Sequence, residues 1–228
     1  LTDRTTVEKA EKMKVGTCLN PLHTALAVYG CLLGYTSIAA EMGDADLKAL
    51  VEHIAAESLP VVEDPGILSP RAFIDEVLHE RFPNPAIPDT PQRIAADTSQ
   101  KLPVRYGGTL RRYARQSEQA LAGLEFAPLV FAGWCRYLLG VDDRGNAMPV
   151  SPDPMLPQLQ AHLKGIEVGR PDSLAGQLRP ILSNAALFGV DLYAAGLGER
   201  TEEMFRDMLA GPGAVRATLH RNCACKQP

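Results

Sequence analysis

The sequence lacks the features that mark several large classes of protein. Its 23 lysines and arginines are outnumbered by 27 aspartates and glutamates, giving a net charge of −4, and aromatic residues make up only 6%. Neither a basic surface nor base-stacking platforms are therefore expected. No apolar run approaches the roughly 20 residues of a membrane-spanning helix, and the opening segment is too polar for a signal peptide. We expect a cytoplasmic protein that binds neither nucleic acid nor membranes.

Local signatures of bound nucleotides and metals are equally scarce. No Gly-x-Gly-x-x-Gly turn follows a strand-like run, and no Gly-Lys-Thr phosphate loop occurs. The five cysteines are odd in number, and three of them lie in apolar helical segments, so disulfides are not expected. Cys223 and Cys225, with His220 nearby, offer soft metal ligands but lack the usual Cys-x-x-Cys partners. A metal site there is a minor hypothesis.

Helical periodicity dominates the sequence, and alternation typical of strands is nearly absent. With 46% hydrophobic residues, the chain can bury a full core, and we expect one mostly-α domain over residues 1–228. Asn20 is expected to cap a buried helix, with Pro21 as its first residue. A second start signal occurs at Asp153-Pro154. The predicted helices cover residues 21–33, 46–57, 70–82, 90–101, 102–121, 126–139 and much of 172–221.

Candidate catalytic residues cluster around the start of the first long helix. Asn20 and His23 are three residues apart and therefore share a helix face, beside an end with partial positive charge. Lys14 could bring its amine over the same end, where burial and a neighbouring cation would lower its pKa. Taken singly, a capping asparagine, an ordinary helical histidine and a surface lysine are the favoured interpretations. Only the combination of the three indicates a site.

A second candidate cluster comprises Arg93, Asp97 and Lys101, which follow one another at intervals of four residues. This spacing is typical of a solvated ion-pair ladder on one helix face, worth a few tenths of a kcal/mol. From the residues alone, the ladder is the favoured interpretation.

At these same positions the sequence resembles the C-terminal helical domain of the polyol-specific long-chain dehydrogenases, the mannitol dehydrogenase and fructuronate reductase family. The resemblance extends across most of the chain. It is carried by Lys14, Asn20-Pro21-Leu22-His23, Gly34-Tyr35, Asn84-Pro85-Ala86-Ile87-Pro88-Asp89-Thr90, Arg93-Ile94-Ala95-Ala96-Asp97, Lys101-Leu102-Pro103, Trp134-Cys135-Arg136-Tyr137-Leu138, Gly140-Val141-Asp142, Gly145 and Asp153-Pro154.

The resemblance implies a role for each candidate residue. Lys14 would be the general base, Asn20 would hold the oxyanion, and His23 would orient the substrate. Arg93 and Lys101 would bind more distant substrate oxygens. In the family, the base usually lies one residue closer to the asparagine, so an extra residue before the helix is needed to keep Lys14 in position instead of Val15.

The resemblance also implies a fold and a function. The fold would be a multi-helical substrate domain like those C-terminal in 6-phosphogluconate dehydrogenases, without the N-terminal Rossmann domain that precedes it in the family. The activity would be a metal-independent, NAD- or NADP-dependent oxidation of a hexitol to a ketohexose, or of mannonate to fructuronate, and this chain alone would be inactive. Choosing between the two depends on whether a carboxylate reaches Arg93 or another cation. The alternative is a non-catalytic helical module for ligand binding or oligomerisation.

Overall fold

The computed structural model describes residues 3–224, and its architecture is almost entirely helical. The mostly-α prediction is confirmed, because the described residues contain only two isolated β-bridges, Val141 with Ala147 and Glu167 with Arg170. The α-helices are α1 (Arg4–Met13), α2 (Asn20–Leu33), α3 (Ile38–Glu41), α4 (Ala45–Ser58), α5 (Pro70–Glu76), α6 (Pro91–Ile94), α7 (Thr98–Arg105), α8 (Gly107–Gln116), α9 (Glu118–Ala122), α10 (Phe126–Tyr137), α11 (Leu156–His162), α12 (Arg179–Leu182), α13 (Ala185–Phe188), α14 (Gly198–Met208) and α15 (Ala214–Cys223).

Two apolar helices, α2 and α10, form the centre of the core. Every residue of α2 from Pro21 to Leu32 is buried, and so is every residue of α10. The two helices pack closely because Gly133 leaves room for the ring of Tyr29, whose hydroxyl donates a 2.8 Å hydrogen bond to the carbonyl of Leu129. Helices α4 and α14 pack around this pair. No helix among the described residues is long and apolar enough to cross a bilayer.

The chain enters α2 differently from the sequence-based expectation. A π-helical turn, Lys14–Cys18, joins α1 to α2, and the amide of Leu19 donates to the carbonyl of Lys14 over 3.0 Å. Leu19 therefore holds the cap position, Asn20 is already helical, and its side chain caps nothing. The expected free helix start at Asn20 is wrong, and with it the argument that an exposed positive helix end stabilises an oxyanion there.

The segment after residue 90 is also more broken than predicted. Thr90 does cap α6, accepting from the amide of Arg93, and Pro91 is the first residue of that helix. The helix ends at Ile94, Asp97 then adopts a left-handed conformation with φ 53°, and α7 starts at Thr98. Arg93, Asp97 and Lys101 thus do not lie on one continuous helix, so the ion-pair ladder is not formed.

The remaining helix predictions are mostly confirmed with shifted ends. The run predicted for residues 70–82 consists of α5 followed by a second π turn, Val77–Arg81. Residues 102–121 divide among α7, α8 and α9. The helix predicted from the Asp153-Pro154 start signal begins only at Leu156. The Asp153 carboxylate accepts from the amide of Met155 at 2.9 Å, just before that helix. It also accepts from the amide of Ser99 at 2.8 Å, which ties this loop to the first turn of α7.

The tryptophan-containing block of α10 is structural. Arg136 is fully buried, and its guanidinium donates to the carbonyls of Met208, Val141 and Asp142 at 3.2, 2.6 and 3.2 Å. It therefore fixes α14 and the following turn against α10. The carboxylate of Asp143, the residue after Asp142, accepts from the first amides of α15, including that of Val215 at 2.8 Å.

Candidate active site

His23 is the buried centre of the first part of the candidate site. It lies on the inner face of α2, is 9% exposed, and packs against the ring of Phe82 with a centroid separation of 5.2 Å. Its Nε2 atom lies 3.4 Å from a carboxylate oxygen of Asp89 and has no hydrogen-bond partner among the described residues. Arg93 pairs with the other oxygen of Asp89. The structure therefore brings His23 and Arg93 together through Asp89.

The His23 ring is neutral at neutral pH because of where it is buried. Burial lowers its pKa to about 4, and the nearby charge of Arg105 acts in the same direction. The carboxylate of Asp89 opposes the shift but does not overcome it. A neutral imidazole can donate one hydrogen bond and accept another. His23 is thus suited to holding a hydroxyl group in place.

Asn20 is connected to α7 by a short chain of hydrogen bonds. The Thr24 hydroxyl donates to the backbone carbonyl of Asn20 over 2.9 Å and accepts from Nη1 of Arg105 over 2.6 Å. Next to this chain, the Tyr106 hydroxyl donates to the carbonyl of Pro21 over 2.7 Å. These bonds hold the end of α7 against the first turns of α2, on the side where Asn20 and His23 lie.

Lys101 lies one turn before Arg105, and its amine is partly committed. The Nζ atom donates to the carbonyl of Ile94 over 3.1 Å and to that of Ala96. Burial and the charge of Arg105 lower the pKa of Lys101, while Asp97 and Asp153 oppose the shift. Since an ammonium group has three N–H donors, one remains for a ligand oxygen.

Lys14 is the least integrated of the predicted site residues. It lies half-buried on the π turn, with its amine 5.3 Å from the ring centroid of Phe73 in α5. Within residues 3–224, no hydrogen bond or ion pair joins that amine to Asn20 or His23. The π turn nevertheless bears on the spacing problem, because a π turn accommodates one residue more than an α turn. Asn20 lies six positions after Lys14 along the chain, and the π turn occupies the first five of these positions, Lys14–Cys18.

A groove of about 740 Å³ adjoins the candidate site on the far side of the π turn. Val15, Gly16 and Thr17 form one wall, and residues of α7 and α8, including Val104 and Arg111, form another. None of the five predicted site residues lines it. Val15, the residue at the family's usual distance from the asparagine, faces this groove and not the ring of Phe73.

The structure adds two residues that the sequence analysis did not place in the site, Asp89 and Arg105. Asp89 was visible as part of the Asn-Pro-x-Ile-x-Asp-Thr motif, and its position four residues before Arg93 is a recognisable ion-pair spacing. Arg105 gave no local signal, since its partner Thr24 lies 81 residues away in the sequence.

The tail shows no assembled metal site in its described part. His220 directs Nδ1 to a carboxylate oxygen of Asp46 at 2.8 Å, and Cys223 is buried with a free thiol. No group of three or more possible metal-binding side chains occurs in residues 3–224. Cys225, the other half of the proposed pair, lies outside the described residues. The thiols of Cys18, Cys31 and Cys135 are likewise free and buried.

Comparison with known proteins gives consistent matches. The family model described as mannitol dehydrogenase C-terminal domain matches residues 6–203. A D-mannonate oxidoreductase of Thermotoga maritima is 57% identical over 96% of this chain, and a mannitol 2-dehydrogenase of Emericella nidulans is 36% identical over 83%. The chain covers 41% and 35% of the length of those two proteins.

A solved structure matches along the whole chain. It is the Pseudomonas fluorescens mannitol 2-dehydrogenase in ternary complex with NAD and D-mannitol, which superposes with a TM-score of 0.76 at 29% identity. The match covers 100% of this chain and 42% of that one. A likeness of this extent includes every helix that contributes to the candidate site.

Proposed function

Because the chain belongs to the family of mannitol dehydrogenase C-terminal domains, we propose that it is the substrate-binding and catalytic domain of a metal-independent oxidoreductase. The proposed reaction interconverts a hexitol and a ketohexose, or mannonate and fructuronate. The names of the Emericella and Thermotoga relatives agree with the first and the second pair, respectively. The proposal is carried by the proximity of His23, Asp89 and Arg93 on one side and of Asn20, Thr24 and Arg105 on the other.

The hydride acceptor is proposed to be NAD or NADP, held mainly by a Rossmann domain outside this chain. Residues 3–224 contain only isolated bridges, and thus no strand leading into a glycine-rich helix start of the kind that holds a dinucleotide in a Rossmann domain. The length of the relatives supports a further domain, since this chain covers less than half of each. The predicted cytoplasmic location stays a prediction.

The residues of this chain would handle the substrate and its proton. Oxidation removes the proton of the reacting hydroxyl, for which the Nζ atom of Lys14 is the proposed acceptor. The side-chain amide of Asn20 would donate to the oxygen as negative charge develops there. The neutral His23 ring would fix the orientation of the same hydroxyl. In the reverse direction, protonated Lys14 would return the proton to the carbonyl oxygen.

Two cations would hold the distant part of the substrate. Arg93, although paired with Asp89, keeps a 66% exposed side chain with free donors. Lys101 retains one donor beyond its two carbonyl partners. A polyhydroxylated chain needs several such donors to fix its length and direction, because a small displacement of the reacting carbon costs rate steeply.

The test is to join the chain to an upstream Rossmann domain of a relative and to measure nicotinamide reduction with D-mannitol and D-mannonate. Lys14→Ala should lower kcat by about 100-fold or more while changing KM little, as expected for a general base. Lys48→Ala, at an exposed position on α4, is the matched control and should leave both unchanged. Undiminished kcat in Lys14→Ala would remove Lys14 from the mechanism. A joined protein without nicotinamide-linked activity would favour the non-catalytic module.

A further inference from the structure

Arg105 is a half-buried cation without a carboxylate partner. It is the last residue of α7 and packs against the first turns of α2 through its Nη1 contact with Thr24. Among residues 3–224, no acidic side chain lies within ion-pair distance of its guanidinium. Two acidic groups of the site are committed elsewhere, since Asp89 contacts His23 and Arg93, and Asp153 accepts from Ser99.

The charge of Arg105 affects titratable groups on both helices of the candidate site, α2 and α7. It lowers the pKa of His23 on α2 and that of Lys101 on α7. Burial lowers the pKa of Arg105 itself, which is the response of a cation that lacks a compensating anion. A partly desolvated, unpaired guanidinium is unfavourable unless a ligand supplies negative charge.

The three cations of the site differ in how many donors they still offer. Arg93 is exposed and already neutralised by Asp89, and Lys101 has two of its three donors engaged with carbonyls. Arg105 has five N–H donors and uses one of them, toward Thr24. Its planar fork matches the two oxygens of a carboxylate, and this geometry is not available to the single ammonium of a lysine.

We propose that Arg105 binds the carboxylate of a sugar-acid substrate and so makes a hexonate, rather than a neutral hexitol, the preferred substrate. This assignment rests on the proposed function and decides which of its two substrate pairs applies. Lys101, one helical turn before Arg105, is close enough to contact a neighbouring hydroxyl.

The first test compares substrates in the two-domain protein. Arg105→Met should lower kcat/KM for D-mannonate by roughly 10- to 100-fold, the loss expected for one charge-assisted contact. It should change kcat/KM for D-mannitol by less than about threefold. Arg105→Lys should fall between, because it keeps the charge and loses the fork. Arg144→Met, on an exposed turn, is the control and should change neither value. Equal losses for both substrates would show a structural role and overturn the inference.

The second test does not depend on turnover and separates the two proposals. Calorimetric titration of the same proteins with D-mannonate, without cofactor, should show binding that Arg105→Met weakens by a similar factor. Thr24→Ala, which keeps the cation but removes its anchor, should weaken binding less. Loss of D-mannonate binding in Arg105→Met without turnover by the parent protein would refute the dehydrogenase while retaining Arg105 as the carboxylate site. Turnover of D-mannonate that is unchanged in Arg105→Met would support the dehydrogenase and refute Arg105 as the carboxylate site.

Discussion

The carboxyl group of Glu41 lies directly against the backbone of Gly30, inside the helical core. Glu41 is fully buried, and neither of its oxygens has a hydrogen-bond partner among the described residues. A Cβ atom on Gly30 would lie only 2.6 Å from Cδ of Glu41 and 2.9 Å from Cγ of Pro91. The missing side chain of Gly30 therefore creates the space in which α3 and α6 approach α2.

Gly30→Ala should destabilise the protein, although alanine is the better helix former by about 1 kcal/mol. The new methyl group would overlap buried atoms of Glu41 and Pro91, and overpacking of this kind typically costs about 1–3 kcal/mol. Gly108→Ala in α8 is the control, because no atom lies within 4 Å of its added Cβ. Urea unfolding should rank Gly30→Ala below the parent and Gly108→Ala level with it or above. Equal stability of the two variants would contradict the overlap.

Glu41 should make stability fall with rising pH. Burial raises its pKa to about 9 in the folded protein, against 4.5 for an ordinary glutamate. Below the lower value both states are protonated, whereas between the two values only the unfolded state loses its proton. The unfolding free energy should therefore decrease through this window, by at most about 1.4 kcal/mol per pH unit.

Glu41→Gln removes the titration and should flatten that dependence. The unfolding free energy of both proteins would be measured with urea at several pH values between 5 and 9. The value for the variant minus the value for the parent should increase with pH. The exposed Glu76→Gln supplies the control and should run parallel to the parent. Parallel curves for Glu41→Gln as well would mean that Glu41 ionises in the folded state as easily as in the unfolded one.

Much of the helical framework could be predicted because its signals are local. The apolar periodicity of α2 and α10 and the Thr90-Pro91 start of α6 depend only on neighbouring residues. The break at Asp97 could not be found this way, since the amide of Asp97 donates to the carbonyl of Pro152 over 2.8 Å, a partner far away in the sequence. Gly34 serves a different purpose from Gly30. It ends α2 with φ 82° and has no close neighbour.

The candidate site was predictable to the extent that its residues share one helix or one motif. The spacing of Asn20 and His23 places both on α2, and the structure bears out that placement. The part played by Arg105 depends on how α7 packs against α2, which no local pattern encodes. The π turn likewise depends on tertiary packing, because Thr17 and Cys18 are buried on the same short segment that carries Lys14.

Asp97 should tolerate glycine and asparagine but not alanine. Its left-handed backbone (φ 53°) is accessible to glycine at no cost and to asparagine at little cost, whereas alanine pays roughly 1 kcal/mol. Asp97→Ala should thus unfold at lower urea concentration than Asp97→Gly or Asp97→Asn, the last of which also removes the charge near Lys101. If Asp97→Asn were as unstable as Asp97→Ala, the carboxylate and not the backbone would be the reason for aspartate here.

Asp89→Asn should lower the pKa of His23 below its value of about 4, because the carboxylate is the charge that opposes the effect of burial. Titration of the His23 ring followed by NMR measures this directly, with the exposed Asp172→Asn as the control that should leave it unchanged. Since burial disfavours the charged ring, the parent should also lose stability as pH falls from 6.5 toward 4, and Asp89→Asn should lose more. A rise in the pKa of His23 in Asp89→Asn would mean that an interaction other than the one with Asp89 dominates its titration. It would also weaken the case for a neutral imidazole that holds a substrate hydroxyl, because that role requires the ring to remain uncharged at the pH of turnover.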